Sequence, residues 1–435
     1  MATPTDSIFA TAGVDDLPHW STMPDDVGDA TRTIKAALRA RLEARGTSAA
    51  EVVAQIESML RPEIDEIRAI TSTGASAWPE IAFEDIAGGT VTAEQIDLVR
   101  RRGCVVVRNT FERAQAGDWD AEIVEYVERN GFFDRYRGPG DDFFGSLEQS
   151  RPEIYPIYWS RPQMEARQSP RMAAVQGFLN SMWVSESHGR QWFDPQRNLV
   201  YPDRIRRRPP GVDSQGLGTH LDAGTIDLWM SRGYQANFRH LWNGDVADFD
   251  PWDASYRTEA SHYPGSTMCS AFRTFQGWTA LSDMDHDQGV LHTVPIASAI
   301  AYLMARPLLD DVADDDLCGV RLNRAFPANR QWHELLLDGL AGIPDVRQGD
   351  TVWWHCDMIH SVAPVEDQRG WGNVMYIPAA PWCTPNEAYA AHVAAALADG
   401  SSPPDFPDEH YERGWSGRFL PEDLNEIGRL GLGPV

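Results

Sequence analysis

From about residue 198 onward the chain is a series of short β-prone runs closed by glycine or proline. They are LVYPDRIRRRPPG, GLGTHLDAG, FRTFQGWTALSDM, GVLHTVPI, GDTVWWHCDMIHSV and WGNVMYIP. Many short strands with turn residues between them build a sandwich or barrel. The preceding stretch has another texture. Residues 29–72 carry apolar residues at helical spacing and read as two helices broken near Gly46. Residues 93–130 read helix, strand, helix: AEQIDLVRRRG ends at Gly103, GCVVVRNT is β-branched, and WDAEIVEYVERNG is amphipathic again. Residues 131–200 are rich in aromatics, Pro and Gly (GFFDRYRGPGDDFFG, RPEIYPIYWSRP), with a helix near 170–184. Shorter helices are predicted near 225–243 and 297–306, and residues 385–435 read as helix and polar loop. The expected class is mainly β with helical additions (α+β): a barrel or jelly-roll core under an N-terminal helical layer. Residues 1–28 are expected to be a loose arm, and 29–435 a single jelly-roll domain ending in a helical tail.

Charge removes several functions. With 64 acidic and 38 basic side chains the formal net charge is −26, so the chain is not built to meet nucleic-acid phosphates or anionic lipid. Among the 435 residues there is one lysine, Lys35, inside a predicted helix far from any motif. Schiff-base and pyridoxal chemistry therefore have no obvious lysine, and any cationic clamp on a carboxylate must be an arginine. The five cysteines, Cys104, Cys269, Cys318, Cys356 and Cys383, are scattered and odd in number. That suits free thiols in a reducing cytoplasm. The first residues lack the pattern of a signal peptide, and no run of about 18 apolar residues offers a membrane span.

The motif with chemistry in it is GLGTHLDAG. Residues i and i+2 of a strand share a face, so His220 and Asp222 can present an imidazole and a carboxylate to one point. Two ligands do not hold a labile metal. A third comes from GDTVWWHCDMIHSVAP, where His360 closes a β-prone run before a Pro-containing turn. Two histidines and one carboxylate form the facial arrangement of non-haem Fe(II) oxygenases, which leaves three positions open. A rival triplet, His355–Cys356–Asp357, lies in the same run. On one unbroken strand His355 and His360 would face opposite ways, so His355 is read as structural.

Several long segments resemble known proteins. FQGWTALSDMDHDQGVLHTVPI, GCVVVRNTF and GDTVWWHCDMIHSV are similar to segments of phytanoyl-CoA-hydroxylase-type dioxygenases. RPEIYPIYWS, YPDRIRRRPPG, FRTFQGWTALSDM and WWHCDMIHSVAPVE resemble the bacterial YbiU-like family more closely, from about residue 30 to the C-terminus. The resemblance implies a double-stranded β-helix (jelly roll, cupin-like) and dependence on Fe(II), 2-oxoglutarate and O₂. His220, Asp222 and His360 match the iron ligands. Related radical halogenases lack the carboxylate, so Asp222 favours hydroxylation. The resemblance also implies an arginine for the far carboxylate of 2-oxoglutarate. Arg369, nine residues beyond His360, is one candidate; Arg273, Arg206 and Arg208 compete, and Trp278 could wall the pocket. Strand alternation puts Arg206 and Arg208 on one face and Arg207 on the other.

Tyr155, Tyr158 and Trp159, in a Pro-punctuated loop, are candidates for the substrate side. The expected activity is hydroxylation of an unactivated C–H bond in a small molecule, releasing succinate and CO₂, with neither nucleic acid nor membrane as partner. The alternatives are a non-catalytic metal-binding jelly roll and a Zn-dependent enzyme that is not an oxygenase.

Overall fold

A computed structural model describes residues 8–138, 153–263, 270–322 and 324–433. Positions 139–145 of the aromatic stretch, Arg151 and Pro152 of the next, and Cys269 lie outside the described residues.

The β-prone runs pair into a seven-stranded and a five-stranded sheet. Their strands are β1 (Glu80–Ala82), β2 (Cys104–Arg108), β3 (Ile154–Tyr155), β4 (Ile205–Arg208), β5 (Leu217–Leu221) and β6 (Phe275–Ala280), followed by β7 (Leu291–Thr293), β8 (Phe326–Pro327), β9 (Ala341–Gly342), β10 (Thr351–His355), β11 (His360–Val362) and β12 (Gly372–Tyr376). The larger sheet runs β1-β2-β10-β6-β12-β4-β3 and the smaller β8-β5-β11-β7-β9. All pairs are antiparallel except β1 with β2. Between β4 and β12 the chain passes back and forth between the sheets: β4, β6, β10 and β12 join the larger, and β5, β7, β8, β9 and β11 the smaller.

The larger sheet is buried on both faces. Val106, Trp278, Val352, Trp354 and Val374 pack in one core with Val290 and Leu291 of the smaller sheet. From the opposite face of the same strands, Val105, Val107, Phe275, Trp353 and Met375 enter a second core shared with the helices. A strand covered on both faces has no polar side, and this accounts for the unbroken apolar runs CVVV and TVWW.

Helical residues outnumber strand residues, so the fold is mixed α/β with antiparallel sheets rather than mainly β. The expected helices form over Val27–Ala44, Ala49–Ser72, Ala93–Arg102 and Arg113–Arg129, and the tail forms Thr384–Asp399 and Glu426–Leu432. Capping boxes start two of them, Ser48 with Glu51 and Thr92 with Gln95. Gly103 ends Ala93–Arg102 at φ +68°, a left-handed conformation that favours glycine, at the turn into β2.

The N-terminal segment departs from expectation. From residue 8 it is packed: Phe9, Ala12, Val14 and Leu17 are buried in the helix-side core. These apolar residues are spaced without a helical or strand period, which conceals their burial. Lys35 is also buried, its Nζ donating to the carbonyls of Ala313 (2.7 Å) and Asp316 (2.9 Å). Among the described residues no helix is long and apolar enough to cross a membrane.

Candidate metal centre and its cleft

The two sheets face each other across a cleft of about 950 Å³, and the His–Asp motif stands in its wall. His220 lies on β5 directly opposite His360 on β11, so the two imidazoles share a face with ring centroids 4.2 Å apart. Gly216 allows this pairing, since a Cβ on it would lie 2.2 Å from Val362 O. Asp222 follows the last residue of β5, and its carboxylate reaches both rings. Oδ1 is 3.5 Å from His220 Nε2, and Oδ2 is 3.4 Å from His360 Nε2.

Hydrogen bonding fixes which ring atoms face Asp222. His220 Nδ1 donates to Gly218 O at 2.7 Å, and His360 Nδ1 donates to Met358 O at 2.9 Å. A carbonyl only accepts, so each Nδ1 carries a proton and each Nε2 is the ring atom turned toward Asp222. Burial, reinforced by His360, pushes the His220 imidazole down to about 4, which keeps it neutral. Burial alone would raise the Asp222 carboxyl. The neighbouring His360 and His220 outweigh it and hold the group well below the usual carboxylate range. His220, Asp222 and His360 could thus hold a metal ion through two ring nitrogens and one carboxylate.

The rival triplet is different. The chain leaves the larger sheet at His355 and enters the smaller one at His360, so the two histidines lie on different strands rather than on one. His355 Nδ1 accepts from the Asp357 N–H at 3.1 Å and its Nε2 donates to Pro251 O at 3.1 Å, which occupies both nitrogens. Asp357 is held by Arg257 in a buried pair.

The arginine candidates separate clearly. Arg369 is exposed and pairs with Asp287 at 2.5 Å, away from the cleft. A position nine residues past His360 falls in the turn before β12, opposite an acidic loop, and not on a cleft-facing strand. Arg208 is buried but donates to the carbonyls of Gln288 (2.7 Å) and Gly289 (2.8 Å). Arg206 lines the cleft, is 6 % exposed, and its Nε has no hydrogen-bond partner. Arg207 points the other way to Asp120 and Trp371, as alternation requires. Arg273 lines the cleft beside Asp222, with its guanidinium 5.7 Å from the Tyr201 ring centre. Trp278 also lines it.

Tyr155, Tyr158 and Trp159 do not line the cleft. Tyr155 packs on Phe132 and Phe133, and Tyr158 on Phe406. Trp159 donates to Ser401 O, and the backbone N–H groups of Tyr158 and Trp159 converge on buried Glu412. The Pro-rich loop is therefore a packed wall. The sequence reading missed Gln276, Tyr376 and Trp354, which line the cleft. Strand alternation could have found two of them, since Gln276 shares a face with Trp278 and Trp354 neighbours the outward Trp353.

Over residues 25–434 the chain matches the Gig2-like family. The chain belongs to the Gig2-like family. It is 53% identical over 414 residues to the uncharacterised protein YbiU of Escherichia coli K12, covering 95% of this chain and 97% of that one. The crystal structure of a hypothetical Escherichia coli protein superposes with a TM-score of 0.89 at 50% identity, covering 95% of this chain and 99% of that one. A Salmonella typhimurium LT2 structure, named as a candidate oxidoreductase, gives 0.91 at 50% identity over the same shares. The GlcNAc-inducible Gig2 protein of Candida albicans gives 0.76 at 26% identity, covering 95% of this chain and 90% of that one. Gig2-like membership accounts for the long motifs and places the YbiU resemblance within the family.

Proposed function

We propose that this Gig2-like protein is a non-haem Fe(II)- and 2-oxoglutarate-dependent oxygenase that hydroxylates a C–H bond of a small molecule, on a double-stranded β-helix formed by β4–β7 and β9–β12. The alternation of these strands between the two sheets supports the fold reading. The observation that carries the functional reading is that one cleft holds both the His220–Asp222–His360 group and the buried guanidinium of Arg206. The name of the Salmonella relative points the same way.

His220 Nε2, Asp222 and His360 Nε2 would hold the iron, and their donor set fits it: ring nitrogens aimed by backbone carbonyls, with one ionised carboxylate between them. Iron and 2-oxoglutarate, when bound, supply the oxidising chemistry with O₂, releasing succinate and CO₂. Arg206 receives the far carboxylate of 2-oxoglutarate, because a bidentate guanidinium matches it and a buried unpartnered Nε favours an anion. Tyr376, two strand positions from Val374, the cross-strand partner of Arg206, lines the same end. Trp278, Met284, Leu291 and Ile343 form an apolar wall that excludes water.

The test is to add Fe(II) and 2-oxoglutarate to metal-free protein without oxygen and record the visible charge-transfer band. A band that is lost in His220→Ala is expected. Metal retention with no band would overturn the oxygenase reading and favour a metal-binding protein without this cosubstrate.

A further inference from the structure

Asp222 and Arg273 also line a second, smaller chamber of about 410 Å³, so they form the partition between it and the cleft. Its other walls include Ala223, Tyr234, Arg257, His262, Phe272 and Cys356. Most of its polar groups are engaged. The Tyr234 hydroxyl donates to Ala223 O at 2.7 Å, and Arg257 is bound to Asp357 with Cys356 beside it.

His262 differs. Its Nδ1 lies 3.1 Å from Oδ2 of Asp227, a fully buried carboxylate. The other oxygen, Asp227 Oδ1, accepts from the Thr225 N–H at 2.7 Å and from its hydroxyl at 3.4 Å. With the carboxylate accepting on both oxygens, Nδ1 is the donor toward Asp227, and the tautomer this selects has its lone pair on Nε2. A carboxylate that fixes a histidine tautomer in this way leaves the outer nitrogen as an acceptor for a guest. Among the described residues Nε2 has no hydrogen-bond partner, and the edge of Tyr234 holds the ring at 5.6 Å between centroids. Neither His262 nor Asp227 has any part in the metal group.

We infer that this chamber receives the molecule to be oxidised, and that its chemistry selects a small organic acid carrying a hydroxyl or ammonium group. His262 Nε2 accepts the hydrogen of that donor, Arg273 in the partition pairs with the carboxylate, and Ala223 and Phe272 cover the carbon skeleton. His262 is a substrate-binding residue here, and Asp227 is its positioning residue. The inference rests on the oxygenase reading for what happens to the guest, but not for whether the guest binds.

The experiment uses the full-length, metal-free protein without 2-oxoglutarate. Calorimetric titration compares a panel of L-2-hydroxy and L-2-amino acids with unsubstituted carboxylic acids and with polyols. Binding confined to the substituted acids is expected. It should weaken about tenfold in His262→Ala, the scale of one lost hydrogen bond. Asp227→Asn should weaken it similarly, because the amide donates to Nδ1 and turns Nε2 into a donor, while the overall shape is kept. Arg369→Gln, at an exposed pair that lines neither cavity, should leave it unchanged. Binding that ignores the hydroxyl or ammonium, survives both dyad variants or disappears in Arg369→Gln would overturn the assignment, as would no binding across the panel. The Fe(II)–2-oxoglutarate band is recorded separately. A band without panel binding removes the chamber assignment alone, and panel binding without a band keeps the chamber and removes the oxygenase reading.

Discussion

Two parts of this chain use nearly the same letters to opposite ends. His220 and Asp222, joined by His360, present two ring nitrogens and a carboxylate to one point. His355, Cys356 and Asp357 also cluster and are fully or almost fully buried. In the first group each histidine is tied by Nδ1 to a carbonyl two residues back, and Nε2 faces the Asp222 carboxylate. In the second both nitrogens of His355 are engaged by Asp357 N–H and Pro251 O, and Trp183 stacks on the ring at 4.6 Å. What separates a candidate metal centre from a turn is which partners the ring nitrogens face, not the residue types.

The largest expected effect tests that contrast directly. Asp222→Ala should abolish the anaerobic Fe(II)–2-oxoglutarate band, exceeding the ~10–100-fold loss typical of altering an outer-shell partner. A band of normal intensity in that variant would move the metal elsewhere. Asp357→Ala should do the reverse: the band persists, but the urea midpoint falls by the equivalent of about 3–5 kcal/mol, since Arg257 is left buried and unpaired. A variant that keeps its stability and loses its band would erase the distinction.

The next effect reads the closed site through pH. Burial holds the His355 and His333 imidazoles down at about 4, below the ordinary 6.5. Their contribution is complete above 6.5 and is lost as pH falls toward 4, because the unfolded chain takes up protons that the native one refuses. The loss for His355 alone is on the order of 3 kcal/mol. Urea unfolding of metal-free protein across this window measures it, and a flat profile would contradict it. The arginines provide the same contrast on a smaller scale. Arg206→Gln should weaken 2-oxoglutarate binding by about 2 kcal/mol or more, read by titrating the band. Arg369→Gln, at an exposed pair, should change stability by under ~0.5 kcal/mol and leave cosubstrate affinity alone.

Much of this was legible in the chain. The glycines at 46 and 103 announced two helix ends, and the Gly–Pro punctuation announced the short strands. His220 and Asp222 were legible because period-two geometry is local. The break between His355 and His360 was not, because the turn Cys-Asp-Met-Ile contains neither Gly nor Pro. It is held from outside, by Arg257 about a hundred residues away in sequence. The aromatic loop misled for a related reason. Tyr155, Tyr158 and Trp159 have the composition of a pocket wall, but buried Glu412, from the C-terminal tail, draws their backbone inward. Arg369 sits at a suggestive sequence distance, yet sequence distance does not report which way a turn points.

The single lysine gives the molecule an unusual reporter. Lys35 is fully enclosed and its ammonium is held by backbone carbonyls, while every other cationic side chain apart from the histidines is an arginine. Reagents that acylate amines therefore find no side-chain target on the folded chain. Acylation at Lys35 requires the Val27–Ala44 helix to lift away from residues 312–316, so its rate counts opening events of the helical layer. One natural residue thus serves as a clock for opening, with no engineered label and no competing side-chain amine.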